Sequence, residues 1–122
     1  MCSMRLLGRR IENTQMKAIT EGHKYELDNH ENPMDVPKQT LQFIEKKPAG
    51  DGFPPGSLIT VNEGTTNEEV LRVLIDRMNS MQAKFPCREN AIVTTHLETA
   101  LLWLEKRTAD RKTRGVEGKH LK

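Results

Sequence analysis

The sequence predicts an α+β fold in which a small N-terminal antiparallel β-sheet is followed by a C-terminal two-helix antiparallel hairpin. Short runs of β-branched and aromatic residues are concentrated before residue 65, and five of the six prolines lie there too. Beyond that point apolar residues recur at helical spacing. We therefore divide the chain into a β-rich part (1–64), a helical hairpin (65–114) and a C-terminal tail (115–122).

Three segments of the β-rich part are candidate strands: residues 23–27, 40–45 and 57–62. Their β-branched and aromatic content, in rough alternation with polar residues, is typical of half-buried strands. The proline- and glycine-rich segment 47–56 predicts a long hairpin loop between two of them. A further strand is predicted around residues 10–17.

The first helix is predicted to begin after Thr66, which with Glu69 forms a capping box. It should end near Lys84, because Pro86 disfavours helical geometry at the preceding residue. The apolar positions at helical spacing are Val70, Leu71, Leu74, Ile75, Met78 and Met81.

The second helix is predicted to begin after Cys87 and to run to Ala109 or Arg111. One apolar stripe can pack on the first helix: Val93, Leu97, Ala100, Leu101 and Leu104. Leu102 and Trp103 lie off that stripe, and a helix that is apolar on more than one face is usually covered on more than one face. In so short a chain we expect a second copy to cover the spare face.

Composition narrows the class of protein. Only 35% of the 122 residues are hydrophobic, which gives a thin core and favours oligomers. A net charge of +2 is too small for a general nucleic-acid binder. Two distant cysteines fit neither a disulfide framework nor a metal site, and no run of residues resembles a secretory signal or a membrane span. We expect a soluble intracellular protein without a metal.

The sequence carries no motif that predicts catalysis. It has no zinc-binding His-Glu-x-x-His, glycine-rich phosphate loop or nucleophile elbow. His96 lies among apolar residues and is read as a core or interface histidine. Cys87 precedes a helix N-terminus, where thiolates are stabilised, but no base is apparent, so a structural role is favoured. We predict a protein that is not an enzyme and needs no cofactor.

Two clusters are candidates for ligand binding. Arg107, Arg111 and Arg114 follow i, i+4, i+7 spacing, so a continued helix places them on one face, where guanidinium groups suit phosphate oxygens. The alternative is that they are solvated cations favoured by the helix dipole. At the interhelical corner, Phe85 offers a face for a purine and Asn90 an amide that can pair with adenine. There the alternative is that Phe85 fills the end of the core and Asn90 caps a helix.

Spacing constrains how these clusters cooperate. Asn90 and Arg107 are 17 residues apart, roughly 25 Å along one helix. A small ligand does not bridge that distance within one chain. Two hairpins packed antiparallel about a two-fold axis would instead place the corner of one copy beside the arginines of the other, making two identical composite pockets.

Several segments together resemble the phage anti-Thoeris sponge family, whose hairpin is similar to that of the anti-CBASS cyclic-nucleotide sponges. The segments in the hairpin and tail are EGTTNEEVL at 63–71, LIDR at 74–77, FPCREN at 85–90, LE at 97–98, ALLWL at 100–104, RTADR at 107–111 and RGVEG at 114–118. HKYEL at 23–27 and TLQFI at 40–44 are similar to the family's β-rich N-terminal part.

The resemblance implies a non-enzymatic protein that binds glycocyclic ADP-ribose, the signal of the bacterial Thoeris system, in the cytoplasm of the infected host. It implies homodimers, in some members hexamers built from dimers that also hold cyclic di- or trinucleotides at a second site. It implies no membrane or nucleic-acid partner. Carried over by motif position, the pocket residues are Phe85, Arg88 and Asn90, with Arg107, Arg111 and Arg114 from the other protomer.

The residues alone leave two other classes of function open. A small DNA-binding regulator would use the hairpin as a helix-turn-helix and bind duplex DNA in a salt-sensitive way. The modest net charge and the apolar second helix count against it. A protein-binding adaptor would block a defence enzyme by apolar contact and would tolerate loss of Arg107 and Arg111.

Overall fold

A computed structural model describes residues 16–115. The elements are β1 (Lys17–Thr20), β2 (Lys24–Leu27), β3 (Gln39–Gln42), β4 (Glu45–Pro48), β5 (Leu58–Asn62), α1 (Asn67–Lys84) and α2 (Arg88–Thr113). The predicted α+β fold is confirmed, with two small antiparallel sheets in place of one. The chain forms two compact units that divide after Phe43. The division after residue 64 follows the type of element and stays a prediction.

The first unit contains the sheet β1-β2-β3, in which both neighbouring pairs are antiparallel. The β1–β2 turn is tight: the His23 N–H donates to the Thr20 carbonyl at 2.9 Å, and Gly22 takes a positive φ of 78°. The rings of Tyr25 and Phe43 meet edge to face, with centroids 6.0 Å apart. Most of the strand predicted around residues 10–17 lies outside the described residues; β1 begins at Lys17.

The candidate strand 40–45 is divided between the two sheets. The Phe43 N–H still donates to His23 in the first unit, at 2.7 Å, whereas the Ile44 N–H donates to the Thr65 carbonyl, at 3.0 Å. β4 then pairs with β5 as a hairpin in the second unit. The predicted hairpin loop is therefore present but begins after Pro48, which pairs with Leu58 at the end of the strand.

The two helices follow their predicted bounds closely. Thr66 caps α1 by accepting the Glu69 N–H on its hydroxyl at 3.2 Å. The Glu69 carboxylate accepts a hydrogen bond from Arg72 at 3.2 Å. α1 ends at Lys84, before Pro86, and α2 extends to Thr113, slightly beyond the predicted end.

The seam between the helices differs from the predicted stripe. Val93 is 42% exposed and Ala100 is also exposed. The less exposed positions of α2 instead alternate by four and three residues, as in a coiled coil: Asn90, Thr94, Leu97, Leu101, Leu104, Thr108 and Arg111. Leu71, Ile75 and Met78 lie at matching positions of α1. Apolar residues alone did not predict the seam correctly, because polar residues take its end positions: near the corner, Thr94 lies in the seam in place of Val93.

No apolar side chain within residues 16–115 is fully buried. Apolar residues of α2 lie on its outer surface, among them Ile92 at 39%, Leu102 at 65% and Trp103 at 66% exposure. The described part of the protomer therefore has a half-buried seam rather than a core. This is the pattern expected of a chain that gains stability by covering its outer helix surface.

Candidate functional site

The corner between the helices, residues 85–90, is held by Gln82 and Cys87. The Gln82 amide bonds both backbone groups of Cys87, accepting from its N–H and donating to its carbonyl, each at 3.0 Å. The Cys87 thiol sulfur in turn accepts the Asn90 N–H at 3.4 Å and caps α2. These bonds satisfy polar groups that a break between two helices would leave unpaired, and they fix the path of the corner.

The corner presents its predicted site residues outward. Phe85 is the C-cap of α1 and is 80% exposed, so it does not fill the end of the seam. Arg88 is the first residue of α2 and is exposed. Asn90 is half-buried, and within residues 16–115 no hydrogen bond to its side-chain amide is formed. The cap of α2 is Cys87 rather than Asn90. An aromatic face, an amide and a guanidinium thus stand at one end of the hairpin.

The far end of α2, residues 106–114, is the basic end of the hairpin. Arg107 and Arg114 line an open groove of about 230 Å³ together with Trp103, Lys106 and Asp110. Lys106 Nζ donates to Asp110 Oδ2 at 2.8 Å. We call this the arginine groove. It combines an aromatic wall with three cationic side chains, and such cations suit phosphate oxygens.

Arg111 stands apart from the other two arginines. It is the one buried side chain of α2, at 9% exposure, and it does not line the arginine groove. A step of four residues turns a helix by about 40° beyond a full turn, which brings Arg111 onto the seam in line with Thr108. Spacing alone predicted one common face; the burial of Arg111 separates it from the other two.

Trp103, Lys106 and Asp110 were not predicted as site residues. Trp103 precedes Arg107 by four residues, Lys106 precedes it by one, and Asp110 follows it by three. Spacing of this kind on a helix is the only feature of the sequence that could have indicated their place beside Arg107. Trp103 was assigned to the spare apolar face instead. In the structure it is the point where that face meets the arginine groove.

Side-chain bonds tie α1 to α2 near the basic end. Thr108 donates to the Glu68 carboxylate at 3.2 Å, and Arg72 bridges Glu69 and Glu105 at 3.2 and 3.1 Å. The hydrogen bond to Glu105, and then that to Glu69, raises the pKa of Arg72 above its usual value. A second open cavity, of about 480 Å³, lies over this network. The carboxylates that line this cavity are largely paired, so we interpret the network as a structural link between the two helices.

Other classes of site find no support in the described part of the chain. Residues 16–115 contain no group of three His, Cys, Asp or Glu side chains placed to hold a metal ion. None of their helices has the length and apolar character needed to cross a bilayer.

The two clusters lie at opposite ends of α2. Asn90 is in its first turn, and Arg107 is 17 residues further on, a distance of about 25 Å. The structure therefore does not bring Phe85, Arg88 and Asn90 together with Arg107 and Arg114 within one protomer. Each end holds one part of the predicted set of ligand-binding residues.

Comparison with known proteins identifies the family. The model of the family described as Acb2/Tad1, hairpin domain matches residues 48–109, which run from the end of β4 to near the end of α2. The chain is also similar to "Thoeris anti-defense 1" of Bacillus phage SBSphiJ7, with 46% identity over 79 residues that cover 55% of this chain. The chain spans about half of that relative, 56% of its length. On the match of its helical hairpin, this chain belongs to the Acb2/Tad1 hairpin-domain family.

Proposed function

We propose that this chain is a phage anti-defence protein that captures glycocyclic ADP-ribose without altering it and so inhibits the Thoeris system of the host bacterium. The name of the similar phage protein supports an anti-Thoeris role. The observation that carries the mechanism is the division of complementary ligand groups between the two ends of the family's hairpin. The protein would act in the cytoplasm of the infected cell, where the signal is made.

The composite pocket forms between two copies of the chain. Antiparallel packing of two α2 helices about a two-fold axis places Phe85, Arg88 and Asn90 of one copy beside Arg107 and Arg114 of the other. Arg111, buried near the seam, supports that end of the helix and adds positive charge close to the ligand. A dimer then holds two identical pockets, and hexamers can be built from three such dimers.

Exposed apolar side chains favour this assembly. Ile92, Leu102 and Trp103 are large, apolar and between 39% and 66% exposed, while no apolar side chain of residues 16–115 is fully buried. Covering these side chains removes apolar area from water at about 25 cal/mol per Å². Pocket formation is thereby linked to the formation of the dimer.

The chemistry of each half suits one part of the ligand. Phe85 stacks on the adenine, and Asn90 pairs with its donor and acceptor edge. Arg107 and Arg114 bind the two phosphates through charge-assisted hydrogen bonds. Capture of a signal at low concentration requires nanomolar affinity, about −12 kcal/mol. Several such contacts in a largely preformed pocket supply it.

Capture without turnover distinguishes a sponge from an enzyme. We would incubate the purified protein with glycocyclic ADP-ribose, filter off the free ligand, quantify it by chromatography, and then denature the retained protein by heat. A sponge removes the ligand from the filtrate and returns it unchanged after heating. A chemically altered product would identify an enzyme, and ligand left in the filtrate would exclude this signal as the target.

Two parallel measurements make that assay specific. Cyclic di- and trinucleotides, tested alone and in competition, show whether a second class of site exists. Duplex DNA at 50 and at 200 mM salt tests the regulator hypothesis, because binding through phosphate contacts falls steeply with salt. Capture of glycocyclic ADP-ribose with no retention of DNA is the result we expect.

A further inference from the structure

The arginine groove contains one group that does not suit a site for phosphate alone. Asp110 lines the groove between Arg107 and Arg114, and its carboxylate is 58% exposed. A carboxylate repels phosphate oxygens, so its presence weakens the binding of a simple anion. The groove is therefore not built for phosphate only.

Helix stability explains Asp110 only in part. It lies three residues before the end of α2 at Thr113, where the helix dipole disfavours negative charge. Its partner Lys106 precedes it by four residues, and an acid that follows the base is the weaker order for such a pair. Both ends of the pair are about 60% exposed, and exposed pairs contribute little to folding. These features disfavour an acid at this position, whereas Arg114 follows Asp110 by four residues, which is the favourable order for a pair.

A carboxylate next to an aromatic wall and cationic side chains has a well-understood use in nucleotide sites. It accepts hydrogen bonds from sugar hydroxyls, as acidic residues do in dinucleotide-binding folds. We infer that Asp110, which lines the same groove as Trp103, Arg107 and Arg114, accepts ribose hydroxyls and makes the arginine groove selective for ribosyl phosphates over simple anions. The inference rests on the proposed capture of glycocyclic ADP-ribose and assigns the recognition of its sugar.

Lys106 Nζ donates a hydrogen bond of 2.8 Å to the Asp110 carboxylate. A ribosyl ligand exchanges this bond for one from a hydroxyl and frees Lys106 to bind phosphate. An anion without hydroxyls donates no hydrogen bond to Asp110 and is repelled by the charge of its carboxylate. The two kinds of ligand should thus respond in opposite directions to removal of the carboxylate.

The test is Asp110→Asn, with binding of glycocyclic ADP-ribose and of inorganic pyrophosphate measured by calorimetry. We expect the affinity for glycocyclic ADP-ribose to fall about tenfold or more, because a hydrogen bond to a charged acceptor is lost. We expect the affinity for pyrophosphate to rise severalfold, because a repulsive charge is removed. Asp76→Asn, the same change at an exposed residue of α1 outside the groove, should change neither by as much as twofold.

Other outcomes overturn the inference. Affinities that rise together would show a purely electrostatic carboxylate, and affinities that fall together would show a structural one. Asp110→Glu, which keeps the charge, must leave the affinity for pyrophosphate unchanged, and circular dichroism and sedimentation must report an intact helix and assembly. If the wild-type protein fails to bind glycocyclic ADP-ribose, the proposed function is contradicted as well. If the wild-type protein binds it and Asp110→Asn has no effect, only the role of Asp110 is contradicted.

Discussion

The two ends of the helical hairpin differ in how their side chains are held. At the corner, backbone groups are bonded by Gln82 and Cys87, and Phe85 projects into solvent. At the basic end, side chains pair with side chains: Thr108 with Glu68, Arg72 with Glu105, and Lys106 with Asp110. The corner presents Phe85, Arg88 and Asn90, whereas the basic end presents three cationic side chains beside Trp103. The two ends therefore hold different parts of the candidate site.

Breaking the assembly should have the largest effect. Leu102→Glu places a charge on the outer face of α2, beside residues proposed to meet the second copy, and Leu102 lines neither described cavity. We expect sedimentation to show dissociation, and affinity for glycocyclic ADP-ribose to fall more than about a hundredfold. Met34→Glu, a matched change at a fully exposed residue of the first unit, serves as the control. A dissociated variant that binds normally would contradict a shared pocket.

Removing one phosphate contact should have the next largest effect. Arg107→Ala deletes a guanidinium from the arginine groove, and we expect the dissociation constant to rise about thirtyfold, within a range of ten to a hundred. Arg77→Ala, an exposed arginine of α1, controls for the change in net charge. Equal losses in the two variants would mean that general charge, rather than this site, attracts the ligand.

Phe85→Ala tests the contribution of the corner between the helices to ligand binding. Stacking of a base on an aromatic ring contributes about 1–3 kcal/mol, so we expect a loss of affinity of roughly tenfold. Because the ring is 80% exposed in the protomer, the midpoint of urea unfolding should not move. Phe53→Ala, a half-exposed phenylalanine in the β4–β5 loop, should leave both quantities unchanged. A lower midpoint for Phe85→Ala would instead assign the ring to packing.

Gln82→Ala should have the smallest effect. The substitution removes both hydrogen bonds that fix Cys87, while the side chain itself is no part of the proposed pocket. We expect a destabilisation of about 1–2 kcal/mol in urea unfolding and a loss of affinity of a few-fold, because Phe85 and Asn90 are then less well placed. Gln82→Glu keeps the acceptor for the Cys87 N–H and should recover part of both. Unchanged affinity would separate the geometry of the corner from ligand binding.

The sequence predicted the fold well where local signals dominate. Thr66, Pro86 and the apolar periodicity placed α1 almost to the residue, because capping and proline sterics act within a few positions. The division of residues 40–45 between two sheets depends on hydrogen bonds to His23 and Thr65, distant in the chain. No local pattern contains that information.

The sequence placed the candidate site residues in the helical hairpin but did not predict how their side chains are grouped, and their role in ligand binding stays a prediction. Arg107 and Arg114 share one groove, as their spacing predicted, whereas Arg111 is buried and lies outside it. Trp103 and Asp110 were not predicted as site residues, because an apolar residue on a spare face and an acid next to basic residues both have structural explanations. Their place in the groove becomes visible only once the side chains have positions.

The central claim, a pocket shared between copies, is tested most directly by complementation between two defective variants. Phe85→Ala and Arg107→Ala each damage both pockets of a homodimer. In a mixed dimer, however, one pocket receives the intact Phe85 and the intact Arg107. Purified mixed dimers, selected with two different affinity tags, should therefore bind glycocyclic ADP-ribose at wild-type affinity with half the wild-type stoichiometry. Mixed dimers as defective as the parent variants would contradict the account, because both residues would then act on the ligand from one chain.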